Sequence, residues 1–323
     1  KATENVLRNA NFKFIEKRKV AYLVSAVLVG VGLFSLVSRG LDLGVEFTGG
    51  RTYVVEFQGE SAPDRDAVEA RLGEAFADDM GRPQTPEVKT VDTDYKMRIT
   101  TKYLVNNSET GVNQKVEDAL RGGLDEIGEY TIVEQRSVDA AISDDILYSS
   151  IIAIVFALII IFVYIMFRFR KWQFGLGALI AMFHDVLVVL GLFSLFWGVL
   201  PFSMEIDQAF IAAILTVVGY SINDTVVVFD RIREYFQTHN KRKDMVPMVN
   251  EALNQTLSRT LNTSMTTLVV MLVIFIWGGE TIRGFMFAML VGIIVGTYSS
   301  LFVASPVMVD TMKKKGLPGE TKK

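Results

Sequence analysis

Six long apolar segments constrain this chain more than any other feature of its sequence. A helix of roughly 20 apolar residues crosses the roughly 30 Å hydrocarbon core of a bilayer, and each segment has about that length. The sequence therefore predicts six transmembrane helices, which lie near Val20–Val37, Ile146–Phe167, Phe174–Trp197, Gln208–Phe229, Leu257–Trp277 and Phe285–Val309.

The first segment is predicted to be a retained membrane helix and not a signal peptide. It begins at Val20, is long enough to span a bilayer and ends without a small-residue cleavage signal. The chain contains no cysteine, so disulfide frameworks and cysteine metal sites are excluded.

Basic residues fall in every second connection between the apolar segments. They precede the first helix, follow the second and fourth, and follow the sixth: Lys13, Lys17, Arg18, Lys19; Arg168, Arg170, Lys171; Arg231, Arg233, Lys241, Arg242, Lys243; Lys313, Lys314, Lys315. Because basic loops stay on the cytoplasmic side, both termini are predicted to be cytoplasmic.

This orientation divides the chain into five parts. They are a cytoplasmic arm (1–19), the first transmembrane helix (20–38), an exported domain (39–145), transmembrane helices two to six (146–310) and a cytoplasmic tail (311–323). The exported domain contains 12 Lys or Arg against 23 Asp or Glu, which argues against nucleic-acid binding.

Within residues 39–145 the hydrophobic period switches between two and about four residues. Strand, helix, hairpin, helix and strand patterns follow one another at Tyr53–Phe57, Val68–Phe76, Val88–Thr100, Val116–Leu124 and Tyr130–Gln135. The predicted fold class is an all-α six-helix transmembrane bundle with an inserted α+β domain, ferredoxin-like βαββαβ, on the periplasmic side.

A glycine-rich segment, Gly44–Gly50, leads into this domain. It lacks the Gly-Lys-Ser/Thr ending of a phosphate loop and opens a strand, where a phosphate loop opens a helix. We therefore predict turn glycines here, and a periplasmic hinge at Thr48, Gly49 and Gly50.

The fourth apolar segment carries a carboxylate, Asp224, with Ser221 and Asn223 nearby. A charge within the bilayer costs roughly 2.5–3.5 kcal/mol on insertion scales, so Asp224 is predicted to be functional. If this helix ends near Phe229 and the next begins near Asn254, Asp224 and Arg259 lie equally deep, at roughly 7 Å.

The fifth segment presents a polar stripe in which Arg259, Asn262, Thr263 and Thr266 share one helix face. This stripe is expected to face Asp224. The protonation of Asp224 would then depend on whether Arg259 touches it, which is the basis of a proton-driven cycle. A static ion pair that holds two helices together is the alternative.

The third segment carries His184 and Asp185. A lone histidine in a bundle is typical of a packing residue, so no metal site is predicted. Asp185 is a candidate participant in a proton relay with Asp224. An intramembrane aspartyl protease is disfavoured, because the sequence before Asp224 reads Ser-Ile-Asn and Arg259 would compete for the carboxylate.

The sixth segment has small residues at four-residue intervals. They are predicted to pack closely against another helix of this chain or of a partner: Gly284, Ala288, Gly292, Gly296, Ser300 and Ala304.

Five motifs in register resemble the SecD/SecF family of protein-export membrane proteins. They are Phe-Thr-Gly-Gly50, Ala-Met-Phe-His-Asp185, Gly219 to Glu234, Arg259-Thr-Leu-Asn-Thr-Ser264 and Gly296-Thr-Tyr-Ser-Ser300. One position departs from the family pattern, since Glu46 stands where an aspartate is usual, and the charge is kept.

The resemblance implies an RND-superfamily half-transporter of the bacterial inner membrane that is no enzyme and needs no cofactor. It would pair with a separate SecD and act beside the SecYEG channel and the SecA motor, using the proton motive force on unfolded preproteins. The resemblance also assigns proton coupling to Asp224 and Arg259. A scaffold subunit that carries no protons, and a small-molecule exporter, are the alternative functions.

Overall fold

The computed structural model describes residues 11–59, 61–77, 82–91, 93–107, 111–200, 202–238 and 244–313. Several basic residues that predict the orientation lie outside these ranges: Lys241, Arg242, Lys243, Lys314 and Lys315. The chain forms two compact units. We call residues 1–41, 153–196 and 210–323 the helical unit, and residues 42–152 and 197–209 the sheet unit.

The elements follow one another in chain order. The first part of the chain contains α1 (Arg18–Arg39), α2 (Val45–Thr48), β1 (Gly50–Phe57), α3 (Arg65–Ala75), β2 (Glu87–Val91), β3 (Thr93–Thr101), α4 (Val112–Leu124) and β4 (Tyr130–Val138). The second part contains α5 (Ala140–Phe169), α6 (Trp172–Phe196), α7 (Gln208–Thr238), α8 (Met245–Trp277), α9 (Glu280–Ser299), a π-helical turn (Ser300–Ala304) and α10 (Ser305–Lys313).

Within the described residues, six helical segments are long and apolar enough to cross a membrane, and this confirms the six predicted spans. Two boundaries differ most from the prediction. α7 continues to Thr238 beyond the predicted end at Phe229, and α8 already begins at Met245. These extensions are amphipathic, because Ile232 and Val249 are buried in the core of the helical unit.

Glycines set the closest approaches between membrane helices. A Cβ atom added at Gly32 of α1 would lie 3.0 Å from the Cα of Gly191 on α6. On α9, a Cβ at Gly292 would clash with Val217, and one at Gly296 would lie 2.9 Å from the Cβ of Ser221. Close packing of the predicted small-residue stripe is therefore confirmed at Gly292 and Gly296, which face α7, and at Ala304, which lies against Gly177 of α6.

The amino-terminal arm is packed into the helical unit where it is described. Phe14 and Ile15 are buried in the core, and Phe14 lies against Phe302 with ring centroids 5.2 Å apart. Two asparagines of α8 hold the arm. Asn250 accepts from the Ile15 amide at 3.0 Å, and Asn254 accepts from the Phe12 amide at 2.8 Å.

The sheet unit contains the predicted β-α-β-β-α-β order in a four-stranded sheet. The strands are arranged β2-β3-β1-β4, and each paired neighbour is antiparallel. β1 and β2 therefore run parallel with β3 between them. Leu72 of α3 and Leu120 of α4 pack with Tyr53, Val55 and Ile99 in a buried core.

The connector between α6 and α7, residues 197–209, belongs to the sheet unit, which adds it to the predicted domain 39–145. Its Ile206 forms a parallel bridge with Leu43. The Ile206 amide donates to the Asp42 carbonyl at 2.7 Å, and the Ile206 carbonyl accepts from the Gly44 amide at 2.8 Å.

Ion pairs reinforce this connection inside the sheet unit. Arg136 of β4 lies 3.2 Å from Glu46 and 3.3 Å from Asp207, and Arg98 of β3 lies 3.5 Å from Glu205. Burial raises the pKa of the Glu205 carboxyl, and the charge of Arg98 acts in the opposite direction.

The predicted hinge residues form a tight turn inside the sheet unit. Thr48 donates to the Gly44 carbonyl at 3.2 Å, while Gly49 and Gly50 have φ angles of 69° and 126°. A Cβ at Gly50 would lie 2.7 Å from the Thr101 carbonyl oxygen, so both conformation and space require glycine. Hinge motion at these residues stays a prediction.

The contact between Gly32 and Gly191 gives a test of the helix packing. Gly32→Leu should destabilise the protein by about 1–3 kcal/mol, because the added side chain overpacks a contact between two backbones. Gly30→Leu is the matched control, since Gly30 is exposed on the same helix with nothing within 4 Å of its added Cβ. Unfolding in detergent micelles measures both, and equal stability of the two variants would contradict the packing.

Candidate functional site

Asp224 lies on the buried face of α7 and is only 3% exposed. In the described residues it accepts one hydrogen bond, from the Ser264 hydroxyl at 3.3 Å. That hydroxyl also lies 2.7 Å from the Thr297 hydroxyl of α9. Because Ser264 has one proton for two possible acceptors, its bond to the carboxylate can be exchanged.

The contacts between α7 and α8 fix the level of Arg259. Tyr220 contacts Thr267 at 3.3 Å, Asp224 contacts Ser264, and Arg231 contacts Gln255 at 3.0 Å. The two helices are therefore antiparallel, and residue numbers on α8 decrease as those on α7 increase. By this pairing Arg259 lies at the level of Val228. This level is about four residues, roughly 6 Å, from that of Asp224.

No ion pair joins Asp224 and Arg259 among the described residues, and the Arg259 side chain is exposed. Contact between the two at equal depth is not seen in this conformation and stays a prediction. The depth estimate depended on helix ends at Phe229 and Asn254, whereas both helices extend well past these residues.

The polar stripe of α8 also points away from Asp224. Asn262, Thr263 and Thr266 are exposed, and the threonine hydroxyls donate to carbonyl groups of their own helix. The buried face carries Thr260 and Ser264 instead. Neighbouring helix positions differ by about 100°, so the choice between Thr263 and Ser264 decides which hydroxyl reaches α7.

Neither Ser221 nor Asn223 forms a hydrogen bond with Asp224 in the part of the chain that the structure describes. Asn223 is exposed on α7. Ser221 donates to the Oδ2 atom of Asp185 on α6 at 2.6 Å. It shares a helix face with Asp224, but it serves the other buried carboxylate.

Asp185 is fully buried and has three polar neighbours. Its Oδ2 atom accepts from Ser221 and, at 2.8 Å, from Ser299, while Oδ1 lies 3.0 Å from the Nδ1 atom of His184. Asp185 thus has three hydrogen-bonding neighbours among the described residues, whereas Asp224 has one.

Hydroxyl groups of α9 and the π-helical turn join these two regions. Ser300 lies 2.8 Å from the Thr225 hydroxyl and donates to the Ser221 carbonyl at 3.4 Å. The π-helical turn begins at Ser300, and such turns are frequent at functional sites because they re-aim side chains.

Sequence reasoning missed five hydroxyl residues of this site: Thr225, Ser264, Thr297, Ser299 and Ser300. Their signal was a cluster of serine and threonine inside apolar segments, most clearly Thr297-Tyr-Ser-Ser300. Ser300 was recognised only as a small packing residue.

The arrangement suits proton binding better than hydrolysis or metal binding. In the described part of the chain no hydrogen bond joins Asp185 to Asp224, so they do not form a shared-proton dyad. The same part contains no group of three or more His, Asp and Glu side chains placed to hold a metal ion.

Fold and site together define a multi-pass membrane protein with an inserted sheet unit and two buried carboxylates on neighbouring helices. The family model described as Protein export membrane protein SecD/SecF, C-terminal, matches residues 119–314. The model described as SecD/SecF GG Motif matches residues 34–60.

Curated relatives extend this similarity over nearly the whole chain. The protein translocase subunit SecF of Rhodothermus marinus is 46% identical over 306 residues, 94% of each chain. That of Magnetococcus marinus is 37% identical over 323 residues, 98% of this chain and 97% of the other. The chain belongs to the SecD/SecF family of protein-export membrane proteins.

Solved structures agree. The crystal structure of SecDF from Thermus thermophilus, described as a translocon-associated membrane protein, has a TM-score of 0.79 at 30% identity. A SecDF structure in a super-membrane-facing form has a TM-score of 0.63 at 31% identity. Each match covers 95% of this chain, which spans 39% of the SecDF chains.

The hydroxyl contact between Ser264 and Thr297 allows a test in this naturally cysteine-free chain. Ser264→Cys combined with Thr297→Cys should form a disulfide on mild oxidation, because the replaced oxygens lie 2.7 Å apart. Thr263→Cys with Thr297→Cys is the matched control and should stay reduced. Mass spectrometry of the linked peptides measures both, and equal linkage would contradict the helix rotation.

Proposed function

We propose that this chain is a SecF-type subunit that uses the proton motive force to assist preprotein translocation across the bacterial inner membrane. One observation carries the proposal. Asp224 is almost completely buried in a membrane helix, yet it has a single exchangeable hydroxyl donor and a cation one helical turn away. A carboxylate so placed binds and releases a proton easily as its surroundings change.

The change we propose is a shift of α8 along α7 by about one turn. Thr260 lies one turn from Ser264 on the buried face, and its hydroxyl has no partner in the described residues. A shift of roughly 5–6 Å would replace Ser264 by Thr260 and bring Arg259 to the level of Asp224. Arg259 would then favour the ionised carboxylate, whereas Ser264 also accommodates the protonated one.

A separate SecD is the proposed partner at the polar stripe of α8. Arg259, Asn262 and Thr263 are exposed on a helix that crosses the membrane, and lipid cannot satisfy such groups. Helices of SecD would cover the stripe. SecYEG, SecA and the unfolded preprotein are further proposed partners, and the relatives' names as translocase subunits support them.

We also assign the sheet unit to the ferredoxin-like fold and to the periplasmic side. The strand order β2-β3-β1-β4 with two helices supports the fold. The basic residues Lys13 and Lys17 before α1 and Lys19 in its first turn support cytoplasmic termini.

The connector between α6 and α7 is the proposed path from proton to preprotein. α6 carries Asp185, α7 carries Asp224, and the chain between them is bound into the sheet unit through Ile206 and Asp207. Movement of α7 would therefore move the sheet unit, and the unit would act without enzymatic chemistry.

Two other functions compete with this one. A scaffold subunit would hold the translocon together while SecD alone carries protons. A small-molecule exporter would share the helical unit. The relatives' names favour protein export over the exporter, so the scaffold is the alternative to test.

Asp224→Asn should abolish the stimulation of preprotein export by a proton gradient, at least tenfold, in vesicles that contain SecD, SecYEG and SecA. The amide keeps the size of the side chain but cannot exchange a proton. Asp230→Asn is the matched control, because Asp230 lies on the same helix, is exposed and pairs with Arg168 at 3.1 Å. Normal gradient-driven export with Asp224→Asn would remove the mechanism.

The double variant Asp224→Asn with Arg259→Gln separates switch from scaffold. Asparagine keeps the size of Asp224 and glutamine keeps part of the polar Arg259 side chain, and both charges are lost, so a scaffold should assemble and support export normally. A proton-coupled subunit should assemble but stay as inactive as Asp224→Asn alone. Assembly is checked by co-purification with SecD.

A disulfide between Leu43→Cys and Ile206→Cys tests the connector. If the sheet unit moves as one body with its connector, this link should leave gradient-driven export within about twofold of the reduced protein, because it joins groups that already pair. Export is measured before and after reduction. A block that reductant relieves would show that the connector must separate from residues 42–44.

A further inference from the structure

His184 lies beside the fully buried Asp185, and only 7% of its own surface is exposed. Its Nδ1 atom is 3.0 Å from Asp185 Oδ1, whereas its Nε2 atom has no hydrogen-bond partner in the described residues. A buried nitrogen without a partner is uncommon in folded proteins and calls for a functional explanation.

When Asp185 is ionised, its contacts select one tautomer of His184. Ser221 and Ser299 donate to Oδ2, and Oδ1 is left to accept a proton from Nδ1. With the hydrogen on Nδ1, the lone pair of a neutral imidazole lies on Nε2. Asp185 therefore orients the ring so that its free nitrogen can accept a proton.

The charge of the pair explains why it should take up a proton. An ionised Asp185 beside a neutral His184 places one uncompensated negative charge inside the bilayer. A proton on Nε2 converts the imidazole to imidazolium and leaves the pair neutral, with no bond broken elsewhere. Because net charge is costly at this depth, the two protonation states differ strongly in free energy.

Other titratable groups on the helices packed against α6 do not take over this role. They include Arg18 and Tyr22 on α1, Asp224 on α7, Tyr298 on α9 and Asp310 on α10. Arg18 and Tyr22 both bond to Asp310, and Asp224 bonds to Ser264.

Tyr298 marks the side from which a proton can arrive. Its ring centroid lies 6.0 Å from that of His184, and its hydroxyl bonds to the Ala21 carbonyl at 3.0 Å and the Ser25 hydroxyl at 3.2 Å. Polar groups thus line the seam between α1 and α9 next to the imidazole.

A metal cation would need the oxygen lone pairs that donors already occupy. Both oxygens of Asp185 face hydrogen-bond donors, so the geometry fits a proton and not sodium.

We propose that His184 is a second proton-binding residue of the helical unit, with Asp185 as its positioning residue. Proton binding at His184 does not depend on the proposed function. Only the use of that proton in export rests on it. Asp224 is reached between α7 and α8, whereas His184 is reached between α1 and α9. The protein would then hold protons at two sites on neighbouring helices.

The test is a titration of His184 by solid-state NMR of the full chain with SecD in lipid bilayers. The sequence contains two histidines, so His239→Gln leaves His184 as the single ¹⁵N-histidine signal. His239 lies outside the described residues. Nδ1 should stay protonated throughout, and Nε2 should gain one proton as the pH falls.

Two variants show whether Asp185 controls this proton. Asp185→Asn should lower the protonated fraction of His184 at neutral pH at least tenfold. Ser299→Ala removes one donor from Asp185 and should raise that fraction, and it provides a test if Asp185→Asn does not fold. A titration that ignores both changes would overturn the proposal, as would an Nε2 that never titrates while the protein is folded.

Two controls separate this inference from the proposed function and from cation binding. Asp224→Asn should leave the His184 titration in place, even though it abolishes gradient-driven export. If export does not need Asp224, the proposed function fails while the titration still decides the role of His184. Replacing Na⁺ by K⁺ should leave the midpoint unchanged, and a sodium-dependent shift would overturn the assignment to a proton.

Discussion

Inside a bilayer, a carboxylate keeps its charge only where neighbouring groups replace the water that it has lost. The two buried carboxylates of this protein obtain that replacement from hydroxyl groups on adjacent helices. Those hydroxyls reach them because glycines allow close packing. Gly296 brings α9 against Ser221, and the π-helical turn at Ser300–Ala304 directs Ser300 toward Thr225. The same helix contacts therefore determine both the packing and the polar site, and a larger residue at Gly296 would disturb both.

The two carboxylates have different numbers of hydrogen-bonding neighbours, and this difference suits them to different roles. Asp185 has three polar neighbours, one of which is an imidazole, so it is suited to hold His184 in place. Asp224 accepts from one donor, the Ser264 hydroxyl, and that hydroxyl can donate to Thr297 instead. Ser264 belongs to α8, and the proposed movement is therefore placed in that helix.

The sequence predicts the architecture well, because the features that determine it are local. Six spans follow from hydropathy, and the order of strands and helices along residues 50–138 follows from the change in hydrophobic period. The partner of Asp224 is a different matter. Thr263 and Ser264 are adjacent hydroxyl residues of similar polarity, and only the rotation of α8 in the packed bundle decides which one is buried. The position of the connector in the sheet unit was equally hidden, since Ile206 is bound through its backbone amide and carbonyl.

Connectivity explains how chemistry at these residues can leave the bilayer. α6 and α7 carry the proton-binding candidates, and each continues directly into residues 197–209, which the sheet unit holds by backbone hydrogen bonds to Asp42 and Gly44 and by Arg136. The turn between α8 and α9 is short by comparison, at Gly278 and Gly279, and lies in the helical unit. In the proposed shift of α8 relative to α7, α7 is covalently continuous with the sheet unit, whereas both ends of α8 lie in the helical unit. On this proposal α7 would transmit the displacement while α8 would slide.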